Sequence, residues 1–294
     1  MPRSPATLLV LLGSSLLSGC GGGAKAQPDA APPRATASPS SADAKPTEPP
    51  VPPGGVAPRN PSAEKAPGGW RPCGDVTCRS IASPGAALAA IVADDEPLVI
   101  GLGEAHAQQG TEAIASTAWR ATNQLLPELG GKASDLVLEL WIPDKSCAPK
   151  AQAKVEKQQQ EVTKTQATSN TNEYVVLAEK AKGLGIQPHV IRPTCAEVDR
   201  IATPGDDAVL EMLSMITDHM KKQIVDLRGK PAAKDKIVVT YGGALHNDMQ
   251  PGAGREGWSF GPAIDAATAH RYVEIDLVVP EYVKETPAWT GQRW

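Results

Sequence analysis

Four short apolar runs of β-forming residues, separated by helix-length segments, constrain this chain more than any other feature. They are Pro97–Gly101 (PLVIG), Asp135–Trp141 (DLVLELW), Ile186–Ile191 and Lys236–Tyr241 (KIVVTY). A strand buried on both faces reads as a continuous apolar run rather than an alternation, and strands spaced by helices pair in parallel. A helical face of Ile114, Ala118, Leu125, Leu126 and Leu129 follows the first run and stops at Gly130-Gly131. Residues 151–183 read as two helices broken near Ser169-Asn170, and 206–228 as another. A last strand, Arg271–Val279, alternates in the manner of an edge. The spacing predicts an α/β fold, with a mainly parallel central sheet of about five strands and helices on both faces. There is no internal repeat.

Composition breaks sharply near residue 70. Residues 21–69 hold twelve prolines and essentially no large apolar side chain. Such a segment cannot bury enough surface to offset its ordering entropy. Residues 20–69 are therefore expected to be a disordered Pro/Ala/Ser-rich tether, with residues 70–294 forming a single α/β domain. Before the tether, Arg3 and the apolar stretch Leu8–Leu17 have the form of a signal peptide over residues 1–19. That stretch is too short to span a bilayer, which takes about 20 residues. It ends in Leu17-Ser18-Gly19-Cys20, which resembles the lipobox of bacterial lipoproteins. The resemblance implies export, diacylglycerol and palmitate-type acylation of Cys20, and a lipid anchor in a membrane. Gly21 in place of aspartate implies the outer membrane of a Gram-negative bacterium. The alternative is an ordinary secretory peptide that happens to contain a cysteine. Net charge is only −4 and no basic run is present, which excludes a general electrostatic grip on nucleic acid or anionic lipid.

With Cys20 set aside, Cys73, Cys78, Cys147 and Cys195 remain. An even count in an exported chain predicts two disulfides. Three pairings are possible; Cys73 and Cys78 are close enough for a local loop, and Cys147 with Cys195 is then the pairing left over. A zinc site is the rival, but it requires reduced thiols.

Two histidines fall where ligands bind in such sheets, outside the carboxyl ends of the strands. His106 lies in Gly103-Glu104-Ala105-His106 after the first run, and His246 in Gly243-Ala244-Leu245-His246 after the fourth. Glu104 sits within the first motif, and Glu139 projects from an apolar strand, where a carboxylate is costly unless paired or metal-bound. Two imidazoles and one or two carboxylates suit Zn²⁺, Mn²⁺ or Fe²⁺. A metal held by His106, His246, Glu104 and Glu139 would polarise an ester or amide carbonyl, with Glu104 as general base and Arg192 at the developing oxyanion. Bland readings stand beside these: strand-end hydrogen bonding for the histidines, helix N-terminal pairing for Glu104, and ion pairing of Glu139 with Arg120 or Arg192. Tyr241 is a candidate ligand for haem iron or a core tyrosine. His189, His219 and His270 have no comparable setting. A Walker A sequence is absent, and His106 stands where a dinucleotide loop needs its third glycine.

The paired Gly-x-x-His motifs, with Glu104 inside the first, resemble the Tiki/ChaN/erythromycin-esterase superfamily over residues 95–280. That resemblance implies a metal-dependent hydrolase, an esterase or peptidase, acting on a small-molecule or peptide substrate. The ChaN-like branch implies instead a haem- or iron-binding uptake lipoprotein. A third reading is a degenerate member retained as an interaction module.

Overall fold

The computed structural model describes residues 71–73, 76–142, 144–202 and 206–279. The expected signal peptide, Cys20 and the tether lie outside these residues. The described chain begins with a small antiparallel hairpin, β1 (Arg71–Cys73) and β2 (Val76–Cys78). Helix α1 (Pro84–Asp95) follows, with Ser83 accepting from Ala86 N–H as its cap and Pro84 in the first turn, where a missing N–H costs nothing.

Five strands then form one all-parallel sheet: β3 (Val99–Glu104), β4 (Ala133–Trp141), β5 (Gln187–Ile191), β6 (Ile237–Gly243) and β7 (Tyr272–Leu277). Their order across the sheet is β5-β4-β6-β3-β7. The helices between them are α2 (Thr117–Arg120), α3 (Pro149–Thr163), α4 (Asn170–Gly183), α5 (Cys195–Ile201), α6 (Asp206–Arg228), α7 (Ala244–Asn247) and α8 (Gly261–Ala267). This is the expected α/β architecture, with β7 at the edge.

Alternate strand residues serve two cores. Ile100, Leu102, Leu136, Leu138, Val239 and Tyr241 pack with α1, α2 and α4 on one face. Val99, Val137, Val238 and Tyr272 pack with α3, α5, α6 and α8 on the other. Both faces are covered, which explains why the strands read as apolar runs. Each fully buried Leu or Ile contributes roughly 1.5–3 kcal/mol relative to exposure.

The expected helix before Gly130 is not one regular helix. It passes from α2 into a π turn (Ala121–Leu125) and then a 3₁₀ turn (Leu126–Leu129). Pro127 has no N–H to give to the preceding turn, so the α ladder cannot run through it. Cys147 and Cys195 form a disulfide, tying the approach to α3 to the start of α5. Cys78 is also disulfide-bonded, while the side chain of Cys73 lies outside the described set.

Candidate functional site

At the carboxyl end of the sheet the central strand β6 lies between β3 and β4. The chain leaving β3 turns towards the face of α2, and the chain leaving β6 turns through α7 towards the face of α8. Neighbouring strands whose continuations part to opposite faces open a crevice between them. Glu104 ends β3, Gly242-Gly243 end β6, and Glu139 lies near the end of β4.

Glu139 owes its position to a break in pairing. Leu138 faces Val190 of β5, but the next partner, Ile191, faces Trp141. A bulge of this kind re-aims a side chain. The Glu139 carboxylate turns across the end of β6, where Oε2 accepts from Gly243 N–H at 2.5 Å. A side chain at position 242 would collide with it, since a Cβ there would lie 2.7 Å from Oε2. The glycine pair therefore makes room for the carboxylate.

His246 faces this carboxylate through Nε2, His106 turns Nε2 towards the neighbouring Gly243, and both are held from behind through Nδ1. His246 lies on α7, and its Nε2 is 3.5 Å from Glu139 Oε1. Its Nδ1 is 3.0 Å from the carbonyl oxygen of Trp258 and 2.8 Å from Thr217 Oγ1, which itself donates to that carbonyl. A carbonyl only accepts, so Nδ1 must carry a proton. His106 Nδ1 lies 2.6 Å from Glu104 Oε1, again a group that only accepts when ionised. Its Nε2 points at Gly243: a Cβ there would be 3.3 Å from His106 Nε2 and 3.4 Å from Glu139 Oε2. The two imidazoles, 140 positions apart in the chain, thus meet around one carboxylate.

Glu104 forms the floor. Its side chain is 3% exposed. Tyr174 of α4 donates to Oε1 at 2.9 Å, and Tyr241 of β6 donates to Oε2. The two tyrosine rings meet edge to face, 5.3 Å apart. Every Glu104 oxygen is committed, and the group serves to orient His106. His106 is the accessible member of the set, with 27% of its side chain exposed.

Charge is balanced within the cluster. Burial is the largest influence on His106 and pulls its pKa down, but the Glu104 hydrogen bond and the charges of Glu104 and Glu139 outweigh it and raise it to about 9. Burial pushes Glu139 up, yet the charge and hydrogen bond of His246, the charge of His106 and the Gly243 N–H bring it down to about 2. His246 is likewise raised, burial being outweighed by Glu139 and by the Trp258 carbonyl.

The structure therefore brings together Glu104, His106, Glu139, His246 and Tyr241. It leaves Arg192 outside: this side chain is exposed, near Asp144. Arg120 reaches back to the carbonyl of Ala115, so neither arginine pairs with Glu139. Tyr241 is fully buried, with its hydroxyl given to Glu104. His189, His219 and His270 pair with Asp135, Glu197 and Asp265 respectively.

Tyr174, Thr217 and the Trp258 carbonyl are site components that the sequence did not announce. Thr217 left a trace, as a hydroxyl among Met212, Met215, Ile216 and Met220 on the buried side of α6. Among the described residues, no three His, Cys, Asp or Glu side chains stand close enough to enclose a metal ion as arranged. The donor chemistry still fits one: Nε2 of His246 faces the carboxylate, Nε2 of His106 faces the glycine that donates to it, and each histidine is anchored at Nδ1 by an acceptor, the usual support of a ligating imidazole. Comparison with protein-family models, curated proteins and solved structures finds no match to this chain.

Proposed function

We propose that this chain is an exported, lipid-anchored member of the Tiki/ChaN/erythromycin-esterase superfamily that hydrolyses an ester or amide with the help of a divalent metal. The observation that carries the reading is the orientation of the two histidines. Glu104 holds Nδ1 of His106 and the Trp258 carbonyl holds Nδ1 of His246, so the Nε2 of His246 is presented to Glu139 and that of His106 to Gly243, which donates to the same carboxylate.

His106 Nε2, His246 Nε2 and the Glu139 carboxylate are the groups that would hold the ion. This set of two imidazoles and one carboxylate leaves further positions for water and substrate. A Zn²⁺, Mn²⁺ or Fe²⁺ ion there supplies Lewis acidity and a bound water with a pKa near 7. Glu104 fixes the ring plane of His106, and Tyr174 and Tyr241 fix Glu104. A base role for Glu104 would require it to give up one of these partners, so the geometry favours positioning over proton transfer. Arg192 gains no support as an oxyanion partner. The haem alternative loses its tyrosine, because the Tyr241 hydroxyl is engaged. The lipid anchor rests on the sequence Leu17-Ser18-Gly19-Cys20.

The test is metal content and turnover of the full chain in detergent. Zn²⁺, Mn²⁺ and Fe²⁺ are titrated by calorimetry after chelation, and hydrolysis of 4-nitrophenyl acetate is followed with and without metal. One ion per chain and metal-dependent turnover are expected, both lost in His106→Ala, His246→Ala and Glu139→Gln. A folded wild-type chain that binds none of the three metals overturns the reading.

A further inference from the structure

A second set of oxygen groups gathers on the α6/α8 face of the sheet, beside α7. Gly101 and Gly103 of β3 leave two gaps in that face. Tyr272 fills the first: a Cβ on Gly101 would lie 2.1 Å from its hydroxyl oxygen. The second is shared, since a Cβ on Gly103 would lie 2.3 Å from Asp276 Oδ1 and 2.5 Å from Asn247 Nδ2. Register places Glu274 beside Gly101 and Asp276 beside Gly103, so both carboxylates project to the same side. Burial raises the pKa of both, and the charge of Asp248, which follows Asn247 in the chain, raises them further.

Two atoms of these groups have no partner. Asn247 is fully buried, yet its Nδ2 makes no hydrogen bond, and neither does the buried Asp276 Oδ1. Buried polar atoms without partners are rare, and each calls for a water, an ion or a function. No Lys or Arg among the described residues faces Asp248, Glu274 or Asp276. Glu274 gives Oε2 to Met249 N–H, and Asp248 gives Oδ1 to Gln250 N–H. Each keeps its second oxygen uncommitted. Three carboxylates and a buried amide thus gather beside Gly101 and Gly103 with no countercharge among the described residues.

We propose that Asp248, Glu274, Asp276 and the side chain of Asn247 form a second cation site, for a hard divalent ion of the calcium class. All the donors are oxygens, with no imidazole or thiolate among them, and the geometry is irregular. Calcium tolerates six to eight oxygen ligands in irregular arrangements, whereas magnesium demands near-ideal octahedra. A half-turn of the Asn247 amide directs Oδ1 towards Asp276 and lets Nδ2 donate to Thr240 Oγ1, now 3.4 Å from the amide oxygen. As arranged, the three carboxylates are not close enough to enclose an ion. Burial, reinforced by the neighbouring acids, raises Glu274 to about 7 and Asp276 to about 6. Because Asn247 neighbours His246 on α7, calcium here would also brace the helix that carries one of the two histidines.

The experiment is calorimetric titration of the chelator-treated full chain with CaCl₂, paired with thermal unfolding at each calcium concentration. One Ca²⁺ is expected to bind with a Kd between about 10⁻⁶ and 10⁻³ M, and Tm to rise as the site fills. Asp276→Asn and Glu274→Gln should each weaken binding at least about tenfold, and Glu139→Gln should leave it unchanged. If Asp276→Asn does not fold, Glu274→Gln decides alone, because its position is only partly buried. Absence of both heat and Tm shift in the wild type up to about 10 mM calcium overturns the proposal. So does binding that is lost in Glu139→Gln but kept in Glu274→Gln, which would assign the ion to the histidine cleft.

Discussion

Replacing Glu104 by glutamine separates the two roles given to this residue, because it removes an acceptor without removing volume. The carboxylate accepts from Tyr174, Tyr241 and His106. A glutamine keeps one carbonyl oxygen and offers an amide donor where an acceptor stood, so at least one of the three donors loses its partner. A buried donor left unsatisfied costs about 1–3 kcal/mol. Removing a buried charge returns part of this, and a net destabilisation of about 1–2 kcal/mol is expected. Metal binding should respond separately. Losing the second partner of a ligating imidazole typically costs 10–100-fold in affinity, or about 1.4–2.7 kcal/mol. The assay is urea unfolding of the metal-free chain beside calorimetric titration with Zn²⁺. Tyr241→Phe is the companion variant: it removes one donor and leaves His106 bound to the carboxylate, so its loss of zinc affinity should be smaller than that of Glu104→Gln. Zinc affinity unchanged in Glu104→Gln would refute the claim that this carboxylate orients His106.

Other consequences follow from packing and charge. The Cys147–Cys195 bridge closes a loop with a sequence separation of 48, and chain entropy assigns it about 4 kcal/mol; Cys147→Ser with Cys195→Ser should lower the urea midpoint accordingly, and no shift would mean the bridge adds nothing to folding. Leu138 is fully buried in the middle of β4, and Leu138→Ala should cost about 2–5 kcal/mol in urea unfolding. Glu274 has a folded pKa raised from 4.5 to about 7, so the folded chain holds its proton more tightly than the unfolded one. Stability is then lost as pH rises through that interval. In calcium-free buffer the Tm of Glu274→Gln should gain on the wild type between pH 4.5 and 7, and a constant difference would contradict the shift.

The strand pattern was legible because both faces of the sheet are covered, which forces runs such as KIVVTY to be apolar throughout. The helices 151–183 and 206–228 were visible for the matching reason that each buries one side. Helix α1 was not read, although Ser83-Pro84 marks its start, because Ala and Gly dominate its sequence and few large apolar residues reveal a face. Helix α5 opens with a capping box, Thr194 and Glu197 each bonding the other's backbone, but it is only seven residues long and lies directly behind a strand. Pro127 was the sign that the helix after β3 is broken.

At the site, His106, His246, Glu104 and Glu139 were legible from glycine turns and from a carboxylate in an apolar strand. The division of labour among them was not. Which carboxylate faces Nε2 and which holds Nδ1 depends on the bulge after Leu138 and on Tyr174 and Tyr241, whose hydroxyls come from a distant helix and a neighbouring strand. Local sequence carries no trace of either.

The most direct measurement is a crystal structure of the chain grown with ZnCl₂, with anomalous scattering recorded at the zinc edge. The account predicts a peak about 2.0–2.1 Å from Nε2 of His106 and of His246, and about 2.0–2.2 Å from a Glu139 oxygen, with Glu104 still on His106 Nδ1. A cleft without zinc, or zinc bound through Glu104 with His246 turned away, would contradict it.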